Sequence, residues 1–266
     1  PLKYAKKNGV SIRIAHAPSS SQTKDKKYLL KLIFKKNINK NATDLFACAQ
    51  DAGTWMFGSN QFHVLNNAID TKAYVVNREI GQEVREELKI PEDAFVVGHV
   101  GRFAPPKNHE FIVEIFAEVL KAKHNSFLLL VGDGDLKGKI EALTTELGIG
   151  DNVIFAGLRS DVNRILQAMD VFLFPSTYEG LPLSIIEAQA AGVPCLISDK
   201  VPIECQKTDL VRQLPLKESL DVWRDAVIDA GKVLKRDTSE EISNAGFDIC
   251  SNVKWLEKFY LDKYQE

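Results

Sequence analysis

From Ala94 onward the chain settles into a strict alternation, and this is the feature that most restricts its fold. Short apolar runs at 95–100, 127–131, 153–156, 170–174 and 194–197 are separated by segments with helical periodicity near 109–122, 136–147, 161–168 and 182–191. Strands buried on both faces and joined through helices of this length predict right-handed βαβ crossovers and a parallel sheet. The fold class is therefore α/β, with one complete Rossmann-like domain. Ligands of such sheets bind beyond the carboxyl ends of the strands, so the functional residues are sought in the loops that follow them.

The segment from Asp170 to Glu187 carries the densest chemistry. An apolar strand ends at Pro175, a polar turn follows, and Pro182 suits the first position of a helix that closes at Gly192. The free N–H groups of that helix start, with those of Gly180 and Leu181, can hold a phosphate. Glu179, in the same mouth, is expected to turn from phosphate and accept hydrogen bonds from neutral hydroxyls. Glu187 lies deeper, among Ile185, Ile186, Ala188 and Ala190, and a buried carboxylate there needs donors.

A second loop, G-R-F-A-P-P-K-N-H at 101–109, follows the strand at 95–100. Gly101 permits close backbone approach, Asn108 is expected to cap the next helix, and Arg102 and Lys107 set two cations at a crevice mouth. A forked donor and a point charge match a diphosphate that gains negative charge as it leaves. The bland reading of the two is a solvated surface pair.

Two glutamates separated by seven residues, in the setting E-G-L-P followed by A-G-V-P, resemble the E-x7-E motif of the retaining, nucleotide-sugar-dependent glycosyltransferases of family 4, which have the GT-B fold. The resemblance implies that Glu179 contacts the donor sugar, Glu187 holds the ribose hydroxyls, and the amides of Gly180 and Leu181 touch the diphosphate. By the same resemblance Arg102 and Lys107 serve the leaving group. Val131-Gly132-Asp133-Gly134 looks like the family's V-G-D-G strand end, or is a plain tight turn. The segment Phe155–Val162, with Leu158 and Arg159, looks like the one whose backbone reads the nucleobase edge. His16, in R-I-A-H, sits where the family often keeps an active-site histidine; the alternative is an ordinary strand-end histidine. His63, His99, His109 and His124 are read as structural. The wording R-I-A-H, N-A-I-D, V-G-R-F and S-D-K-V-P-I-E looks most like bacterial enzymes that build capsule or exopolysaccharide.

The resemblance runs over 10–264, and family members carry further sequence in front, with a glycine-rich loop for acceptor and donor. The expected division is a partial amino-terminal αβ lobe at 1–75, a nucleotide-sugar-binding domain at 76–250, and a helix at 251–266 that returns to the first lobe. With roughly 100 to 200 residues per domain as a guide, 266 residues allow one complete domain and part of another. Within the first lobe, Ser11–Ala15, Asp44–Cys48 and Phe62–Asn66 are expected as strands and Gln50–Phe57 as a helix; the crossover at roughly 71–93 includes a charged helix from about Asn77 to Leu88, and past Pro202 helices are expected at 220–235 and 252–264.

Charge is divided unevenly. Residues 1–72 hold 12 Lys and Arg against 4 Asp and Glu, a net of +8 in a chain whose total is −2. The basic, amphipathic stretch Lys24–Lys40 is expected to form a helix, either a solvated face or a peripheral contact with an anionic membrane near a lipid-linked acceptor. Nucleic acid is not expected as a partner. The four cysteines are scattered and show no C-x-x-C pair, so reduced thiols in a cytoplasmic protein are the default and no metal is expected. No cofactor is expected beyond the donor itself, a UDP- or GDP-sugar.

Other chemistries fail on particular residues. A nicotinamide-binding G-x-G-x-x-G breaks at its third glycine after Gly132 and Gly134, and a phosphate-binding P-loop has the wrong spacing before Ile140. A glycosidase has no use for the cationic loop. Two readings stand: a retaining glycosyltransferase acting on a growing polysaccharide or lipid-linked oligosaccharide, and a catalytically incomplete module that binds nucleotide sugar or a subunit.

Overall fold

The computed structural model describes residues 1–18, 32, 35 and 37–265. The chain divides into two compact units, Pro1–Ile69 with Gly246–Glu266, and Asp70–Ala245. In the first unit, α1 (Leu2–Lys7), β1 (Ile14–Ala17), α2 (Ile38–Asn41), β2 (Asp44–Ala47), α3 (Gln50–Phe57) and β3 (His63–Val64) build a three-stranded parallel sheet ordered β1-β2-β3. Register is set by Ile14 opposite Asp44 and Phe46 opposite His63. Its core is small: Ala17, Ala47, Ala52 and Phe57 are buried. The expected strand at 62–66 shortens to two residues, and the basic helix expected over Lys24–Lys40 falls largely outside the described residues.

The second unit runs α4 (Arg78–Glu87), β4 (Phe95–Val100), α5 (His109–Ala122), β5 (Ser126–Val131), α6 (Lys137–Glu146), β6 (Val153–Gly157), α7 (Val162–Gln167), β7 (Val171–Phe174), α8 (Leu183–Ala190), β8 (Cys195–Ser198), β9 (Val211–Leu214), α9 (Leu220–Ala230) and α10 (Ser239–Ile242). Six parallel strands stand in the order β6-β5-β4-β7-β8-β9. The chain builds outward from β4 through β5 to β6, then returns to lay β7 on the other side of β4. The topological switch is thus between β4 and β7.

Alternation along each strand feeds two apolar layers. Val96, Leu129, Phe172 and Ile197 pack with Ile165 and Ile185 on one face, and Val97, Leu128, Leu173 and Leu196 with Ile112, Phe116 and Trp223 on the other. The sheet is covered on both sides, as expected of a doubly wound α/β domain. Strand β9 was not expected; V-R-Q-L is short, half polar and at the sheet edge.

The last helix, α11 (Ile249–Gln265), belongs to the first unit. Ile69 forms a parallel bridge with Asp248, and Trp255 and Phe259 pack on Phe46. The division falls at 69/70 and 245/246 rather than 75/76 and 250/251. Residues 70–75 stay with the second unit because Asn163 and Gln167 donate to the carbonyls of Ala73 and Tyr74. Among the described residues no helix is long and apolar enough to cross a membrane, and all four cysteines are unpaired.

Candidate active site

Strands β4 and β7 are neighbours, so the loops that leave them meet at the carboxyl edge of the sheet. They are tied directly: Thr177 N donates to Pro106 O at 2.8 Å and Asn108 Nδ2 to Pro175 O at 3.1 Å. This corrects the expected role of Asn108. It stands at the helix start with a left-handed backbone, φ 58°, and its amide crosses to the other loop instead of capping α5. Pro182 likewise stands just before α8 rather than in it, with ψ 119°, and no side chain caps that helix. Gly192 ends α8 at φ +67°, as glycine allows.

Across this seam Lys107 Nζ lies 2.7 Å from Glu179 Oε1, with side chains 19% and 13% exposed. The contact is one of charge. Its alignment satisfies no hydrogen bond, and among the described residues Glu179 Oε1 takes none from another group. Glu179 thus faces the Lys107 ammonium across the seam. Lys107 also rests over the Phe174 ring, 4.5 Å from its centre. Gly180 and Leu181 follow directly, at the open end of the turn. The Arg102 side chain is 70% exposed, with Asp135 at 3.5 Å.

Arg102 borders an open groove of about 510 Å³ with Gly101, Gly132, Gly134, Leu158 and Arg159. Close backbone approach builds its wall. A Cβ on Gly132, at φ +136°, would lie 2.1 Å from Gly101 O. The V-G-D-G turn thus holds the cationic loop in place, with Gly101 N donating to Val131 O and Phe103 N to Asp133 O. Leu158 is 80% exposed at the groove rim. The Arg159 guanidinium is engaged elsewhere, bidentate on Asp161 at 2.8 Å and on Glu87 at 2.7 Å. These carboxylates hold it firmly charged.

Glu187, in the middle of α8, is partly buried, and the donor it needs is the Tyr74 hydroxyl at 2.7 Å. Burial raises its carboxyl above the usual range, and the Tyr74 hydrogen bond offsets part of that rise. Tyr74 was not singled out from the sequence, and nothing local marks a residue 113 positions away as a partner. His16 is exposed on β1 in the other unit, its ring 6.3 Å from Phe46. The site residues of the second unit gather at the carboxyl edge of its sheet.

The family described as "Glycosyl transferases group 1" matches residues 81–207, which span every site residue named above except His16 and Tyr74. The chain is 34% identical to the putative glycosyltransferase EpsF of Bacillus subtilis over 269 aligned positions, which cover 95% of this chain and 69% of that protein. It belongs to the glycosyl transferases group 1. A second relative of this group 1 glycosyltransferase is the UDP-Gal:alpha-D-GlcNAc-diphosphoundecaprenol alpha-1,3-galactosyltransferase of Escherichia coli, 27% identical, with 75% of this chain and 54% of that protein aligned. Among solved structures, Anabaena Alr3699/HepE in complex with UDP superposes with a TM-score of 0.74 at 20% identity, over 94% of this chain and 72% of that one. The shared architecture is the Rossmann-like GT-B fold. The matched region takes in β4 to β8, the strands that carry the two loops.

Proposed function

We propose that this glycosyltransferase moves a sugar, with retention of configuration, from a UDP-sugar to a growing bacterial polysaccharide or a lipid-linked oligosaccharide. The observation that carries the reading is the meeting of Lys107 and Glu179 from two adjacent βα loops, beside the groove bordered by Arg102. In this reading the diphosphate takes Lys107 and Arg102 as counter-charges and the amides of Gly180 and Leu181 as donors. Charge grows on that diphosphate as the glycosidic bond breaks, so these groups bind the transition state more tightly than the ground state. Glu179, released from Lys107, meets the sugar, and Glu187 meets the ribose, with Tyr74 orienting it. Uridine is favoured over guanosine because one relative is named for a UDP-sugar and one structural neighbour holds UDP. The basic amino-terminal segment supports peripheral contact with an anionic membrane, which liposome co-sedimentation with and without anionic lipid tests.

Calorimetry with UDP and GDP on the wild type, Arg102→Ala and Glu187→Ala tests the site. UDP is expected to bind, and each variant to lose on the order of tenfold in affinity, the worth of one charge-assisted contact. Equal affinity in all three proteins contradicts the assignment. Binding without sugar transfer would favour the nucleotide-sugar-binding module.

A further inference from the structure

Backbone pairing between β4 and β7 stops early. Only Val97 opposite Val171 and Gly98 opposite Phe172 are in register, although β4 continues to Val100 and β7 to Phe174. On their other sides the same strands stay paired to the end, β4 with β5 through Val100 and β7 with β8 through Phe174. The sheet therefore opens only at the switch point, under the two loops of the site. Where the ladder fails, a side chain replaces it: His99 Nδ1 lies 2.9 Å from Leu173 O. A carbonyl can only accept, so Nδ1 carries the proton.

The same ring supports the cationic loop. A Cβ on Gly101 would lie 2.7 Å from His99 Nε2 and 3.4 Å from Cδ and Cε of Lys107, which places Gly101 between the imidazole and the lysine stem. His99 also stacks on Phe174, centroids 5.2 Å apart, the ring that carries the Lys107 ammonium. At the far end of the loop, His109 stacks on Phe103 at 4.1 Å and meets His99 edge-on at 4.8 Å. Both imidazoles are buried, and burial holds them neutral, His109 at about 4 with the Lys107 ammonium adding to the effect.

We infer that His99 is a positioning residue for Lys107: its imidazole bridges the unpaired end of the β4/β7 seam and fixes the seat of the cation that meets the diphosphate. This rests on the diphosphate-binding reading above and adds a residue that touches no substrate.

The test compares UDP with UMP, which differ by the phosphate that Lys107 is placed to hold. Dissociation constants are measured for the wild type, His99→Met, which removes the donor to Leu173, and His99→Asn, whose amide can restore it; GDP and GMP replace the uridine pair if the wild type prefers them. The wild type is expected to favour UDP. His99→Met should lose about fivefold of that preference with UMP affinity unchanged, the worth of roughly one hydrogen bond, and His99→Asn should stay within about twofold of wild type. Should His99→Met fail to melt cooperatively, His99→Leu, which also lacks a donor, serves as the loss variant. A folded loss variant with the wild-type UDP to UMP ratio overturns the inference, as does equal weakening of both ligands, which marks general packing. A wild type that does not distinguish UDP from UMP instead removes the diphosphate reading itself.

Discussion

Among the described residues a single hydroxyl, that of Tyr74, donates to the Glu187 side chain, and that makes it sensitive to one atom. Tyr74→Phe leaves the ionised carboxylate in its partly buried place without that donor, at an expected cost of about 1.5 kcal/mol at pH 7. The sign with pH follows from burial, which raises the folded carboxyl above its unfolded value. A group shifted that way favours the folded state when protonated, so its contribution is greatest below the unfolded value and fades as pH rises through the folded one. The penalty of Tyr74→Phe should therefore shrink as pH falls into the carboxylate range, because protonated Glu187 no longer needs the donor. Urea midpoints of both proteins at pH 7 and pH 5 check this, and a penalty that grows on acidification contradicts it. The need for a donor was legible in the sequence from the apolar neighbours of Glu187; the identity of the donor was not, since it depends on how a distant turn packs.

Among the elements, the loops after β4 and β5 are held together by glycines that nothing can replace cheaply. Gly132→Ala drives a Cβ into Gly101 O and imposes a left-handed backbone on alanine, with an expected loss of several kcal/mol and of nucleotide binding. Gly138 in α6 is the control, because a Cβ there meets nothing within 4 Å. Its change to alanine should stabilise by about 0.5 kcal/mol. Thermal melts of the two variants decide, and parallel behaviour of both would sink the argument. The strands that made these loops were readable because apolar runs buried on both faces stand out between periodic helices. Strand β9 was not, since Arg212 and Gln213 interrupt its pattern, and the pairing of Lys107 with Glu179 emerges only once β7 is laid beside β4.

At the scale of the molecule, each unit carries its own core, and the two can be perturbed separately. Trp255 packs on Phe46, His63 and Phe259, so Trp255→Ala should remove about 2 kcal/mol from the first unit, less than full burial would give because the indole is 42% exposed. Hydrogen exchange should show lost protection in β2 with β5 unchanged; equal losses in both would refute independent cores. Charge is also distributed by region, basic over residues 1–72 and acidic beyond. The crevice mouth departs from this pattern, since the Lys107 ammonium and the Glu179 carboxylate already lie against one another. Paired in this way, Lys107 presents less net charge to a free phosphate or sulfate than it would alone. On the reading proposed above, a visitor that offers an anion to the one and hydroxyls to the other gains most by prising them apart, so the handclasp itself would screen what enters.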